Sequence, residues 1–89
     1  MCILPYVKNV KIYTTRTCPY CVRAKRLLEK KQVSYEEIDV SSDDEARIKL
    51  MEKTGLRTVP QIFIGERHVG GSDDLYQLEA RGELDPLLQ

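Results

Sequence analysis

Val10, Ile12 and Thr14 alternate with Lys11 and Tyr13, the period-two pattern of a strand with one buried face. After Cys18-Pro19-Tyr20-Cys21 the period lengthens: Cys21, Ala24, Leu27 and Leu28 fall on one side of a helix, and Arg23, Lys25, Arg26 and Lys30 on the other. Lys30 and Lys31 are placed to complement its carboxyl end, so the helix is expected to stop near Gln32. Tyr35 to Val40 alternates weakly, and a right-handed crossover would lay this second strand parallel to the first. Ser42-Asp43-Asp44-Glu45 reads as a capping box opening a second helix, with Ala46, Leu50 and Met51 as its buried stripe and Gly55 as its stop.

Gln61 to Ile64, the pair Gly65-Glu66, and Arg67 to Val69 read as a hairpin with glycine first in a II′ turn. Gly70-Gly71-Ser72-Asp73 opens a third helix running through Leu75, Leu78 and Ala80 to Gly82. Leu84, Leu87 and Leu88 suggest a short terminal helix entered at Pro86. The expected fold class is α/β, a four-stranded mixed sheet flanked by three or four helices. Residues 1–89 are expected to form one domain, with 1–9 expected as an N-terminal extension to which no role attaches.

Eighty-nine residues bury one modest core. Fourteen basic and fourteen acidic side chains cancel, with no basic block, so neither nucleic acid nor an anionic membrane surface is an expected partner. Met1 to Val7 is too short for a secretory apolar region and contains Pro5; with no apolar run of spanning length, a cytoplasmic location is expected. Three cysteines are an odd number, which argues against a structural disulfide framework and for a reactive pair in a reducing compartment. Cys2 reads as an incidental terminal thiol.

The pair is Cys18 and Cys21. Pro19 fixes φ for helix entry and removes an N–H that would lack a partner there, which makes Cys18 the N-cap. Its sulfur then faces free amides at the positive end of a helix, with Arg16 two residues upstream. Cysteines in such settings fall from about 8.5 to roughly 3.5–7.5, so Cys18 is expected to be a thiolate. The gain in thiolate fraction is offset by lower nucleophilicity; what improves is departure, when a second thiol attacks a mixed disulfide on that sulfur. Cys21, one turn on and on the same face, is the expected resolving thiol. The other reading of Cys-x-x-Cys, half a zinc site, needs two further ligands, and only Cys2, His68 and scattered carboxylates are on offer.

Pro60, opening a strand after Val59, is either a cis residue that turns the Val59 backbone outward to pair with an extended peptide, or a trans proline starting an edge strand. Gly70-Gly71-Ser72 is either a turn that caps a helix or a backbone cradle for a carboxylate. His68 reads as a half-exposed strand residue.

Together, Cys18-Pro19-Tyr20-Cys21, Thr58-Val59-Pro60 and Gly70-Gly71-x-Asp73 resemble the glutaredoxin family in order and spacing, over about Val10 to Leu88. Thr58 to Ile64 and the tail from Asp73 to Leu88 are especially similar to the bacterial glutaredoxin 3 type. The resemblance implies a thioredoxin-like fold, a cis Pro60, glutathione as co-substrate and no tightly bound cofactor. It implies that Cys18 and Cys21 form the redox-active disulfide and that Cys18 bears the mixed disulfide with glutathione. Tyr20 would border the glutathione cysteine, Val59 pair with its backbone, and Pro60 shape the groove. Arg57, next to Thr58, would meet the glycine carboxylate; Gly71, Ser72 and Asp73 would meet the γ-glutamyl end; Arg16 matches a basic position before the motif.

The implied partners are glutathione, glutathionylated or disulfide-containing proteins with ribonucleotide reductase among the candidates, and indirectly glutathione reductase and NADPH. A monomer is expected. The alternative is a carrier dimer holding a [2Fe-2S] cluster through two Cys18 thiolates and two glutathione molecules, against which Pro19 counts. Many relatives carry a cysteine where this chain has Ser72. Thioredoxins favour Trp-Cys-Gly-Pro-Cys, and this chain has no tryptophan; monothiol types with Cys-Gly-Phe-Ser lack the second sulfur.

Overall fold

β1 (Val10–Thr14) is an interior strand of the sheet, with Val10, Ile12 and Thr14 buried on one face. The computed structural model describes residues 9–56 and 58–88. In chain order β1 is followed by α1 (Pro19–Lys30), β2 (Tyr35–Asp39), α2 (Asp44–Thr54), β3 (Gln61–Ile64), β4 (Arg67–Gly70), α3 (Ser72–Ala80) and α4 (Leu84–Leu88). The sheet order is β2-β1-β3-β4: β1 runs parallel to β2 and antiparallel to β3, and β4 is antiparallel to β3. The mixed four-stranded sheet is the expected one. Among the described residues no helix is long and apolar enough to cross a membrane.

On one face Val10 and Ile12 stand opposite Ile64 and Ile62 and pack with Leu27 and Leu28 of α1, Leu75 of α3, and Leu84 and Leu88 of α4. Ile12, Leu28, Ile62, Leu75, Leu84 and Leu88 are all 0 % exposed. Each such side chain contributes roughly 1.5–3 kcal/mol of transfer free energy, which is what holds the two cysteine-bearing and glycine-bearing helix starts at one end of the sheet. The other face is aromatic. Phe63 meets Tyr13 edge-on at 5.8 Å, lies 4.9 Å from the half-buried His68 ring, and carries the Lys53 ammonium of α2 4.7 Å above it.

α1 closes differently from the pattern read in the sequence. Gln32, at φ 59, takes the left-handed position usually given to glycine, while the Val33 amide donates to Leu28 O and the Gln32 amide to Glu29 O. Lys31 does not serve the helix end: its ammonium bridges Glu79 of α3 at 2.6 Å and Asp85 of α4 at 2.9 Å. Lys25 is half-buried rather than turned to water. The expected Ser42 capping box does not form; Asp43 is the N-cap, accepting from the Ala46 amide at 3.0 Å, because Ser42 is drawn off to Arg16. Of the expected stripe only Leu50 is buried, since Ala46 and Met51 lie at the rim of a helix resting on the sheet's aromatic side. Gly55 ends α2 at φ 77 as expected, Gly65 turns the hairpin at φ 60, and α4 begins at Leu84 rather than at Pro86.

Candidate functional site

Cys18 caps α1 from an extended backbone (φ −123, ψ 103), and Pro19 is the first helical residue. The Cys18 sulfur accepts a hydrogen bond from the Cys21 amide at 3.1 Å and lies 3.7 Å from the Val59 carbonyl oxygen. This is the geometry in which unpaired amides and the helix dipole favour negative charge on sulfur. The two thiols are unequal in access: Cys18 is half-buried and Cys21 is 1 % exposed. Burial first, then its hydrogen bond with Cys18, push the Cys21 thiol up to about 12 against the pull of the Thr15 backbone; the nearby Cys18 charge adds a smaller push and Lys25 the smallest opposing pull. Cys21 therefore rests as a thiol, and only Cys18 can meet a substrate first.

Two recesses meet at Val59. The first, of about 180 Å³, is lined by Tyr20, Val59, Pro60, Gly71, Ser72, Asp73 and Asp74. The Val59–Pro60 peptide is cis. Gly71 is the N-cap of α3, and its amide is taken by the Asp74 carboxylate at 3.0 Å. That leaves the Ser72 and Asp73 amides, which have no intrahelical acceptor in a first turn, to meet an anion. Ser72 is 3 % exposed, and its hydroxyl is buried without a partner, so Ser72 offers the recess its backbone.

The second recess, of about 510 Å³, is lined by Thr15, Arg16, Thr17, Ser41, Arg47 and Val59. Arg16 is tied toward the β2–α2 turn: its amide donates to Ser41 Oγ at 2.7 Å and its guanidinium to Ser42 Oγ. Asp39, whose carboxyl is held below its usual range chiefly by its hydrogen bonds from Ser41, borders the same turn.

Of the residues singled out in the sequence, Tyr20, Val59, Pro60, Gly71, Ser72 and Asp73 surround the first recess, and Arg16 joins the second. Thr58 is exposed, with its carbonyl accepting from Gln61 Nε2 at 2.9 Å. Arg57 and Cys2 lie outside the described residues. Two residues were missed. Arg47, on the exposed side of α2, gave no signal, because solvent-facing arginines are ordinary on a surface helix. Gln61 did give one, as a polar residue heading an apolar strand. It is 1 % exposed and braces the loop before Pro60 through Leu56 O at 3.1 Å as well as Thr58 O.

The family pattern described as Glutaredoxin matches residues 10–69. The chain is 54% identical over 81 residues to Glutaredoxin 3 of Escherichia coli, covering 91% of this chain and 98% of that protein. It is 57% identical over 79 residues to a glutaredoxin of Pseudomonas aeruginosa, covering 89% and 94%. A buckwheat glutaredoxin–glutathione complex superposes with a TM-score of 0.86 at 32% identity, covering 96% of this chain and 80% of that one. With the thioredoxin-like fold, the capping cysteine and these likenesses together, the chain belongs to the glutaredoxin family.

Proposed function

We propose that this glutathione-dependent disulfide oxidoreductase works through Cys18 as nucleophile, with the glutathione tripeptide laid across Val59 between the two recesses. The observation that carries this is the juxtaposition at Val59. Its carbonyl lies 3.7 Å from the Cys18 sulfur, with a helix N-terminus on one side and two arginines on the other. A tripeptide has charge at both ends. The γ-glutamyl end carries a carboxylate and an ammonium, which suit the Ser72 and Asp73 amides and the Asp73 side chain; the glycine end carries one carboxylate, which suits Arg16 and Arg47. Between them an extended cysteinyl backbone can pair with Val59 as an added strand. Tyr20, 54 % exposed, and Pro60 wall the groove.

Cys18 thiolate attacks the glutathione sulfur of a protein mixed disulfide; the new S–S bond forms as the old one breaks, and the protein sulfur leaves with the electron pair and takes a proton. A second glutathione thiolate then displaces Cys18 and leaves as glutathione disulfide, which an NADPH-dependent reductase recycles. On a protein disulfide, Cys18 attacks first and Cys21 closes onto it. The protein is read as a cytoplasmic monomer without a tightly held cofactor, and ribonucleotide reductase is a candidate substrate.

The test is steady-state reduction of a small glutathione mixed disulfide, coupled to glutathione reductase and NADPH, by wild type, Cys18→Ser and Cys21→Ser. Activity retained by Cys21→Ser and lost in Cys18→Ser is expected. Inactivity of wild type and Cys21→Ser together would overturn the glutathione assignment.

A further inference from the structure

To resolve a mixed disulfide, in which Cys18 no longer carries charge, Cys21 must lose its proton from a place where burial holds it as a thiol. Lys25 lies one helical turn behind it on the same side of α1, and residues four apart on a helix are neighbours. The Lys25 ammonium is not loose. It pairs with Glu37 Oε2 of β2 at 3.0 Å, and that same oxygen accepts from Thr14 Oγ1 of β1 at 2.8 Å. Thr14 is 1 % exposed, so the carboxylate that holds Lys25 is anchored to the sheet. The groups acting on Cys21 are Cys18 and Lys25 from α1 and the Thr15 backbone, while Glu37 and Asp39 from β2 act on Lys25.

We propose that Lys25, held in place by Glu37 and Thr14, is a positioning residue for the resolving step: its ammonium stabilises the Cys21 thiolate as it forms and so sets the rate at which the Cys18 mixed disulfide closes. The step balances. Cys21 releases its proton, its sulfur bonds to Cys18 Sγ as the bond from Cys18 Sγ to the substrate sulfur breaks, and the substrate sulfur leaves with the electron pair and is protonated. Glu37 is held below the usual carboxylate range by Thr14 and then by Lys25, so it stays an anion and keeps Lys25 in place across neutral pH. Its negative charge pairs with the ammonium it holds and partly offsets the effect. Lys25 and Glu37 side chains are 26% and 38% exposed, so solvent screening keeps the influence to a few-fold.

The inference rests on the reading that Cys18 forms the mixed disulfide, and the experiment separates the two. Closure is followed by acid quench and mass spectrometry after reaction with bis(2-hydroxyethyl) disulfide, which needs no glutathione site, from pH 5 to 9. Lys25→Met is expected to slow closure about two- to fivefold at pH 7 and to move its rising limb to higher pH, with both restored by Lys25→Arg. In the Cys21→Ser background, Lys25→Met should leave reduction of a glutathionylated peptide at the Cys21→Ser rate. Unchanged closure in Lys25→Met, no rescue by arginine, or equal losses in both reactions would overturn the proposal. If Cys21→Ser alone has no glutathione activity, the glutathione reading fails while the closure kinetics still decide the role of Lys25.

Discussion

Replacing Ser72 by alanine should make the protein more stable without weakening glutathione binding. The Ser72 hydroxyl is buried with no hydrogen-bond partner in a residue 3 % exposed. Leaving such a group unsatisfied costs about 1–3 kcal/mol, and alanine removes it. Against this stands the loss of packing around one oxygen, a few contacts at about 0.1–0.2 kcal/mol each. The balance is a gain of about 1 kcal/mol, which in a domain of this size raises Tm by about 4–8 °C. The anion-binding amide of residue 72 is backbone and survives the change, so the KM for glutathione should move by less than about twofold. Thermal unfolding by circular dichroism, with the coupled glutathione assay on the same samples, reads both quantities. A lower Tm would show that the hydroxyl has a stabilising partner; a KM raised about tenfold would show that it, not the amide, meets the ligand.

Arg47→Ala and Asp73→Asn remove charges from opposite ends of the proposed groove, and each should raise the glutathione KM about two- to fivefold with kcat at saturation unchanged, measured in the coupled assay. Lys31, only 13% exposed and bridging Glu79 and Asp85, has its pKa raised above the ordinary 10.5 by those partners, the Glu79 hydrogen bond foremost. A raised folded value means its contribution is whole below 10.5 and is lost as pH rises through that higher value. Lys31→Met should therefore lower Tm by the equivalent of about 1 kcal/mol at pH 8, and the difference should shrink as pH is taken above 10.5, by calorimetry across that range. At Gly70 φ is 119 and an added Cβ would lie 2.3 Å from Asp74 Oδ2. Gly70→Ala should cost at least about 2 kcal/mol in urea unfolding and raise the glutathione KM, because it displaces the carboxylate that caps α3.

Where structure follows from neighbours in the chain, it was legible. The alternation of Val10 to Thr14, the capping role of Cys18 with Pro19 behind it, the Gly55 stop and the Gly65 turn are all local geometry, and each appears where expected. Errors came where two local solutions compete and a distant partner chooses. Ser42 and Asp43 are both good caps, and Arg16, 26 residues before Ser42, takes the serine away. Gln32 in a left-handed turn was not readable either, since the energy that holds it there comes from Val33 and Leu28 in the core rather than from its own preference.

By itself the sequence determined the reactive pair, the helix that one sulfur caps, and the family, because those depend on residue types a few positions apart. Only the tertiary structure decided what surrounds the sulfur. It brought Val59, 41 residues on, to 3.7 Å from Cys18, placed Arg47 beside Arg16, tied Lys25 to Glu37 and Thr14, and buried the Ser72 hydroxyl. Those contacts join elements distant in the chain, and they exist because packing the apolar faces of α1, α3 and α4 on one sheet leaves their starts and the loops between them a single arrangement.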